Sequence, residues 1–435
     1  MKQMKSFLTL ALALTALAGC NKENEVPGMN PEVSGVPTYA AFSVKVNSTA
    51  NTRATTPTDN NADAVEQTIT SLKVFVFNGG VLETTGDITL DADNKGTTTL
   101  QTTTGPKEIY AVANPKSDMI LAVGKSLTEF KALAVKAETT SSTPDDNIAA
   151  TGAFVMIGKT NTTLTEQTDV QAKNNPVAIT VSRGAAKVQL QYNSATVTHP
   201  SLQGTFSGPK YLVAQMNTKM FLPRMGYELT PTGSVTSGGT YTHLTTVPAD
   251  MTDAKDAVNP WDNTFANSFY SAENVNETPV TGNSTFALVQ LKYAPVEAEI
   301  AGSNKTVAGD GTFYVLWNKT TKTGTIYADE TEVNNAQAQD ATNLEVKTYT
   351  TGLCYYRVNL RDITQTVLTQ KYCVLRNHYY KINITQINSL GGNTTTDPDI
   401  VVPTDPDTPL ETETFISADI TVEAWNAITM NEPLG

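Results

Sequence analysis

The longest period-two alternation in the chain comes at its end. Ile416, Ala418, Ile420, Val422, Ala424, Ile428 and Met430 share one parity, while Ser417, Asp419, Thr421, Glu423 and Thr429 share the other. Successive side chains of a strand point to opposite faces, so this spacing gives one apolar and one polar face, with Trp425 on the polar side. A shorter version lies near the start, where Ala40, Phe42, Val44 and Val46 alternate with Ala41, Ser43 and Lys45. Half-buried strands at both ends of a chain need sheets, made from what lies between, to pack against. The terminal strand can complete its own sheet or be used outside its own subunit, and the alternation is compatible with both.

The intervening sequence supplies sheet material. Low Lys, high Thr and Asn, scattered Gly and Pro and many short apolar runs indicate a β-rich extracytoplasmic protein. Residues 71–77 are apolar on both faces in their second half, as in a strand covered on both sides, and Asn78-Gly79-Gly80 turns the chain. Strands are expected at 108–114, at 154–158, as a pair at 177–192 around Arg183-Gly184, and at 211–221, 285–293, 312–319, 354–360 and 371–387. One helix stands out: Ser126-Leu127-Thr128-Glu129 fits a capping box, and Leu127, Phe130, Leu133 and Ala134 share a helical face. Asn174-Asn175-Pro176 marks a domain boundary near Pro176, and residues 389–414, with Gly391-Gly392 and two Asp-Pro pairs, have the composition of a linker. Trp261, Phe265, Phe269 and Tyr270 have the spacing of a short packed helix, and also of a glycan-binding aromatic surface.

Lys2 and Lys5 precede an apolar run from Phe7 to Leu17 and small residues at a cleavage point, the layout of a secretory signal. Its ending, Leu17-Ala18-Gly19-Cys20, resembles the bacterial lipobox, which implies removal of residues 1–19 and acylation of Cys20. No other apolar run approaches the roughly 20 residues of a membrane-spanning helix, so lipid is the one membrane attachment visible. Residues 21–37 read as a tether. Residues 47–61 are rich in Ser, Thr, Asn, Asp and Ala with Arg53 in their middle, and such polar runs admit a protease. The other arginines, Arg183, Arg224, Arg357, Arg361 and Arg376, lie in or beside segments that read as ordered. The Arg53-Ala54 bond is therefore the natural target of a trypsin-like enzyme, unless Arg53 is one solvated charge in a linker.

The chain carries 30 basic and 43 acidic residues, of which five and three lie in residues 1–53. A form beginning at Ala54 carries 25 minus 40, or −15, a sign that argues against binding nucleic acid. Cys354 and Cys373 can be brought together by a turn over residues 361–370, giving a disulfide in an oxidising compartment, and two buried free thiols fit equally well. Catalytic patterns are missing: His199, His243 and His378 are isolated, and there is no Cys-x-x-Cys pair, nucleophile elbow or phosphate-cradling loop. Residues 91–96 begin like a calcium loop, but Lys95 and Thr102 stand where oxygen ligands are needed, so a hairpin turn is the better reading. No enzyme activity, metal or cofactor is expected.

The lipobox with Cys20, the Arg53-Ala54 site, the strand 72–77 with its Asn78-Gly79-Gly80 turn, the passages 181–188 and 375–384, and Trp425 in Val422-Glu423-Ala424-Trp425 occur in a distinctive order. That order resembles the type V pilins, or fimbrillins, of anaerobic Gram-negative bacteria, particularly the Mfa-like major fimbrial subunits. The resemblance implies a mainly β chain with two transthyretin-like β-sandwich domains, at residues 54–175 and 176–435, after a signal peptide at 1–19 and a propeptide at 20–53. It further implies an outer-membrane lipoprotein precursor that an arginine-specific protease cuts at Arg53-Ala54, removing the strand 39–46. The opened groove would take a donor strand, residues 415–435, from a second copy, building a surface homopolymer with accessory anchor and tip subunits. Anchor and tip subunits share the fold, and a glycan-binding surface lipoprotein is the alternative from another class.

Overall fold

Residues 34–47, 63–139, 145–223, 226, 230, 252–253, 268–410 and 416–425 are described in the computed structural model. Among them the chain is mainly β, with short helices at its connections. Cys20, Arg53, Ala54, Ile428, Met430, Trp261 and Phe265 lie outside the described residues.

The first sheet has six strands in the order Phe42–Val46, Val177–Arg183, Met156–Leu164, Gly105–Ala113, Leu72–Asn78 and Val81–Ile88. Its first pair is parallel and the others are antiparallel. Val74, Phe75, Val76 and Phe77 are all buried, so this strand is covered on both faces, as its continuous apolar run requires. Phe130 packs its ring on Phe75, Phe77 and Tyr110 at centroid separations of 4.9–5.2 Å. The capping box before it is formed: Ser126 Oγ accepts from Glu129 N while Glu129 accepts from Ser126 N. The helix itself covers only Leu127–Lys131, and Ala134 opens a short strand instead of joining the expected helical face.

Two four-stranded sheets follow. One has the order Phe269–Ala272, Ala185–Tyr192, His378–Ile387 and Ile416–Ala424; the other runs Thr252–Asp253, Thr205–Ala214, Phe286–Ala294 and Leu353–Asn359. Val188, Leu190, Ile382, Ile384 and Ile420 of the first share one core with Tyr211, Val213, Val289, Leu291, Tyr356 and Val358 of the second. That shared core makes the pair a β-sandwich. A further four-stranded sheet, from Ile300–Ala301, Thr323–Tyr327, Phe313–Asn318 and Leu344–Tyr349, adds Phe313, Val315 and Tyr349 to this core.

The segments on either side of Arg183-Gly184 do not form a hairpin. Val177–Arg183 belongs to the six-stranded sheet, and the chain passes through Gly184 into Ala185–Tyr192, every residue of which is buried in the next sheet. The sequence marks a division near Pro176, whereas the change of sheet comes at Gly184, one strand later.

Residues 389–410 are not a loose linker. Val401 and Val402 are buried against Leu212, Phe286, Leu288 and Tyr355, and Lys347 holds Asp397 at 2.7 Å and Asp399 at 3.0 Å in largely buried ion pairs. Two well-placed valines and a carboxylate clamp outweigh a composition that reads as flexible. The two cysteines are free. Cys354 sits in the sandwich core and donates to Leu291 O, while Cys373 packs in a separate cluster with Val275 and Leu375 and donates to Gln370 O, so the turn does not bring them into a disulfide. Phe269 and Tyr270 open a strand, against the packed helix expected there.

Candidate functional site

The expected single strand at 39–46 is two strands, divided at Ala41. Pro37–Ala40 pairs antiparallel with Leu100–Thr103, and Phe42–Val46 pairs with Val177–Val181 at the edge of the first sheet. The division explains why Ala41 is buried although its parity is polar: here the chain changes partners, and Ala41 O accepts from Val177 N at 2.8 Å. On either side of it Ala40, Phe42 and Val44 face the core and Val46 is partly buried against it, as the alternation predicts.

Phe42–Val46 lies in a slot with two walls. One is the parallel ladder to Val177–Val181; the other is the loop at 94–96, where Val44 N donates to Asn94 O at 3.0 Å and Gly96 N donates to Phe42 O at 2.7 Å. A Cβ at Gly96 would stand 2.9 Å from Phe42 O, so glycine permits this approach. The turn at 91–96 is tied to Asp91, whose carboxylate accepts from Asp93 N and Lys95 N at 2.9 Å, which makes the hairpin-like turn structural. The wall behind the Pro37–Ala40 strand rests on a buried ion pair. Lys107 Nζ meets Glu83 Oε2 at 2.5 Å, while Glu83 Oε1 accepts from Thr102 Oγ1 at 3.0 Å and from Thr103 N. Burial pushes the Lys107 ammonium below its ordinary pKa, against the pull of Glu83.

At Gly158 the first sheet parts. A Cβ there would lie 2.1 Å from Thr180 O, and beyond the Gly158–Val181 pair the strands at 159–164 and 177–180 make no ladder. A polar cleft of about 390 Å³ opens between them, lined by Thr160, Thr162, Asn175 and Ala178 among others.

The terminal strand is at home in its own subunit. Ile416–Ala424 pairs antiparallel along His378–Ile387, with Ile416, Ala418 and Ile420 buried and Val422 partly buried in the sandwich core. It is an edge strand, with no ladder on its other side among the described residues. Trp425, on the opposite parity, turns into the other core, beside Phe154 and Tyr270. Its assignment to a polar face fails because the indole meets Phe154, Tyr270 and the Glu66 carboxylate in the interior rather than solvent.

Around Trp425 the chain assembles a buried polar cluster from four distant segments. The indole Nε1 donates to Glu66 Oε2 at 3.1 Å. Trp425 O accepts from Arg183 Nη1 at 2.7 Å, and Trp425 N donates to Asn377 O at 3.3 Å. The Arg183 guanidinium lies 4.6 Å from the indole ring, Tyr270 stacks on it at 5.6 Å, and Phe154 meets it edge-on at 5.7 Å. Lys187 Nζ approaches Glu66 Oε1 at 3.0 Å, Tyr270 Oη donates to the same oxygen, and Arg183 Nε donates to Glu66 O at 2.8 Å. One carboxylate thus faces two buried cations. Burial lowers the Arg183 pKa to about 10 and lowers that of Lys187, with the Glu66 carboxylate opposing both shifts. Removing one member of such a buried set costs about 3–5 kcal/mol, because the others are left uncompensated.

Glu66 is the residue that reading the sequence missed. Its only local signal is the spacing Asp63-Ala64-Val65-Glu66, a capping box formed here over a single turn, with Asp63 N donating to Glu66 Oε2 at 2.6 Å. Arg183 and Lys187 in 181–188, Asn377 in 375–384, and Trp425 come from three of the passages that carried the resemblance, and the structure brings them to one place. Four of the six arginines, Arg183, Arg357, Arg361 and Arg376, are buried. No cluster suited to a metal ion exists among the described residues, and no described helix is long and apolar enough to cross a membrane.

Residues 40–197 match the family model described as major fimbrial subunit protein (FimA), and residues 347–431 match that described as major fimbrial subunit protein type IV, fimbrillin, C-terminal. None of the curated proteins matches significantly. Among solved structures, a fimbrilin (fimA) from Porphyromonas gingivalis W83 is similar at 16% identity and a TM-score of 0.49, over 90% of this chain and 99% of that one. A putative cell adhesion protein from Parabacteroides distasonis ATCC 8503 gives 15% identity and 0.48, over 91% and 99%. The tip fimbrial protein Mfa3 from Porphyromonas gingivalis, with a C-terminal truncation, gives 12% and 0.39, over 89% and 100%.

Proposed function

Since this chain belongs to the fimbrillin family of major fimbrial subunit proteins, we propose that it is a stalk subunit activated by proteolysis and polymerised by strand exchange. In this reading the chain is exported as a lipoprotein acylated at Cys20 and is held at the outer membrane as a precursor. An arginine-specific protease cuts between Arg53 and Ala54. The cut frees the subunit from its lipid and detaches residues up to 53, including both leading strands.

The observation that carries the reading is the position of Phe42–Val46. It is an edge strand, held in a slot between Val177–Val181 and the loop at 94–96, and it lies just ahead of the proposed cut. Its loss would leave the ladder groups of Val177–Val181 unpaired and the pockets of Ala40, Phe42 and Val44 open, an apolar slot that invites a replacement strand. The terminal strand of a second copy has the matching alternation, with Ile416, Ala418, Ile420 and Val422 at period two. Burying each large apolar side chain contributes about 1.5–3 kcal/mol, so several in one slot suffice to join subunits without a covalent bond. The burial of Arg183, Arg357, Arg361 and Arg376 supports Arg53 as the accessible target. The partners are other copies of this chain, accessory anchor and tip subunits, and the protease, and the polymer supports adhesion at the cell surface.

The test is digestion of the lipid-free precursor with an arginine-specific protease, read by intact mass and size exclusion. Loss of residues up to 53 with conversion to a ladder of oligomers is the expected result. A subunit that stays monomeric after that cut contradicts the proposal.

A further inference from the structure

Nothing in strand exchange requires the terminal strand to be fastened to its own subunit, yet here it is fastened at one point by groups from five segments. Trp425 closes the strand, and its backbone N–H, backbone carbonyl, indole N–H and both ring faces or edges are engaged, by Asn377, Arg183, Glu66, Tyr270 and Phe154. Most of these groups belong to the sheets. Glu66 does not: it sits in the single 3-10 turn Ala64–Glu66, held by Asp63 N and by Gly152 N donating to Val65 O at 3.1 Å. Its carboxylate is nevertheless what the indole, Lys187 and Tyr270 all address.

That turn shares a stretch of chain with the proposed cleavage site. Asn47, at the end of the leading strand, donates from its backbone to Val181 O at 2.7 Å and from its side chain to Ser182 Oγ at 3.3 Å. Glu66 accepts from Arg183, the next residue along that strand. The chain on both sides of Arg53 is therefore pinned to consecutive residues 181–183, Asn47 on the side that leaves and Glu66 on the side that stays. While the chain is whole, the two pins are joined covalently, which limits how far the turn at 64–66 can move from its place. Once cut at Arg53, the turn at 64–66 hangs on a chain end, and short turns at chain ends fray.

We propose that Glu66 is the positioning residue of a latch: it holds the terminal strand to its own subunit through Trp425 in the precursor, and cutting the chain before it loosens that hold. The inference rests on the cleavage reading above and adds to it a second consequence of the same cut, release of the donor strand as well as opening of the acceptor slot.

Amide hydrogen exchange of residues 416–425, followed by mass spectrometry on the monomeric fraction before and after the cut, tests it. In the wild-type precursor these amides are protected, and cutting speeds their exchange roughly tenfold or more, together with that of residues 63–67. Glu66→Gln and, independently, Trp425→Phe, which removes the indole donor and part of the stacked ring, give the fast exchange already in the uncut precursor, and cutting then adds little. Glu83→Gln, which disturbs the buried pair with Lys107 instead, serves as a control and leaves the precursor's 416–425 amides slow. Unchanged exchange at 416–425 in both variants, or acceleration spread evenly over the whole chain, overturns the latch. Polymers that form after the cut while exchange stays unaltered in cut monomers also overturn it and leave strand exchange standing. Faster exchange without any polymer preserves the latch and removes the proposed function.

Discussion

His378 shows how one side chain ties acid sensitivity to the terminal strand. It pairs across the ladder with Ala424, and its Nδ1 donates to Arg376 O at 2.9 Å. Burial lowers its pKa below the ordinary 6.5, and the Arg376 carbonyl and Asp362 only partly offset this. An imidazole that resists its proton when folded contributes stability in full above pH 6.5, and that contribution falls as the pH drops, because the unfolded chain takes the proton first. Thermal unfolding of the precursor is accordingly expected to show a decline in stability below pH 6.5 that is shallower in His378→Gln. At Gly158 the constraint is steric. A methyl group placed 2.1 Å from Thr180 O forces apart the strands that frame the polar cleft, so Gly158→Ala is expected to lower stability by about 1–3 kcal/mol, read from the urea midpoint at unchanged slope. Glu129, by contrast, has its pKa lowered to about 2 by bonds from Lys125 and Ser126, but it is exposed and such surface pairs contribute little.

At the scale of the element, the two end strands predict opposite dependences on the cut. Phe42 fills a fully buried pocket, and Phe42→Ala is expected to destabilise the precursor by about 3–5 kcal/mol. The same substitution is expected to have no effect on the stability of the mature subunit, since the proposed cut removes the strand; an equal loss in both forms would show that the strand stays. Deleting residues 416–435 removes the buried Ile416 and Ile420 together with Trp425, so the shortened chain should fold with reduced stability. Cut at Arg53 and mixed with cut full-length subunits, it should accept a strand without donating one, and shorter oligomers in size exclusion are the expected sign.

For the whole molecule, the division of labour is between a sandwich whose last edge strand is the proposed donor and a six-stranded sheet whose edge is filled by a strand ahead of Arg53. Arg53→Ala is expected to keep the chain monomeric in the presence of an arginine-specific protease while leaving its thermal unfolding unchanged. Oligomers formed at the usual rate by that variant would place the activating cut elsewhere. Lys347, Asp397 and Asp399 matter at this scale because they help hold residues 397–402 onto the sandwich, ahead of the terminal strand.

The sequence by itself determined the apolar faces of the two end strands. Alternation at 40–46 and 416–422 reports which side chains are buried, because the period of two belongs to the backbone and needs no partner to be read. It likewise determined the capping box at Ser126–Glu129, a purely local arrangement. Partners were decided by the tertiary structure. Ala41 is buried because the chain changes neighbours there, Trp425 because a second core lies over the polar parity of its strand, and Val401 and Val402 because a loop of linker composition has a surface to pack on. Glu66 shows the limit most clearly: local spacing marks it as a cap, while its role as counter-charge to Arg183 and Lys187 and acceptor for Trp425 depends on segments more than a hundred residues away. Side-chain periodicity is a property of neighbours along the chain, but the pairing of buried charges is set by distance in space, which only the assembled sheets define.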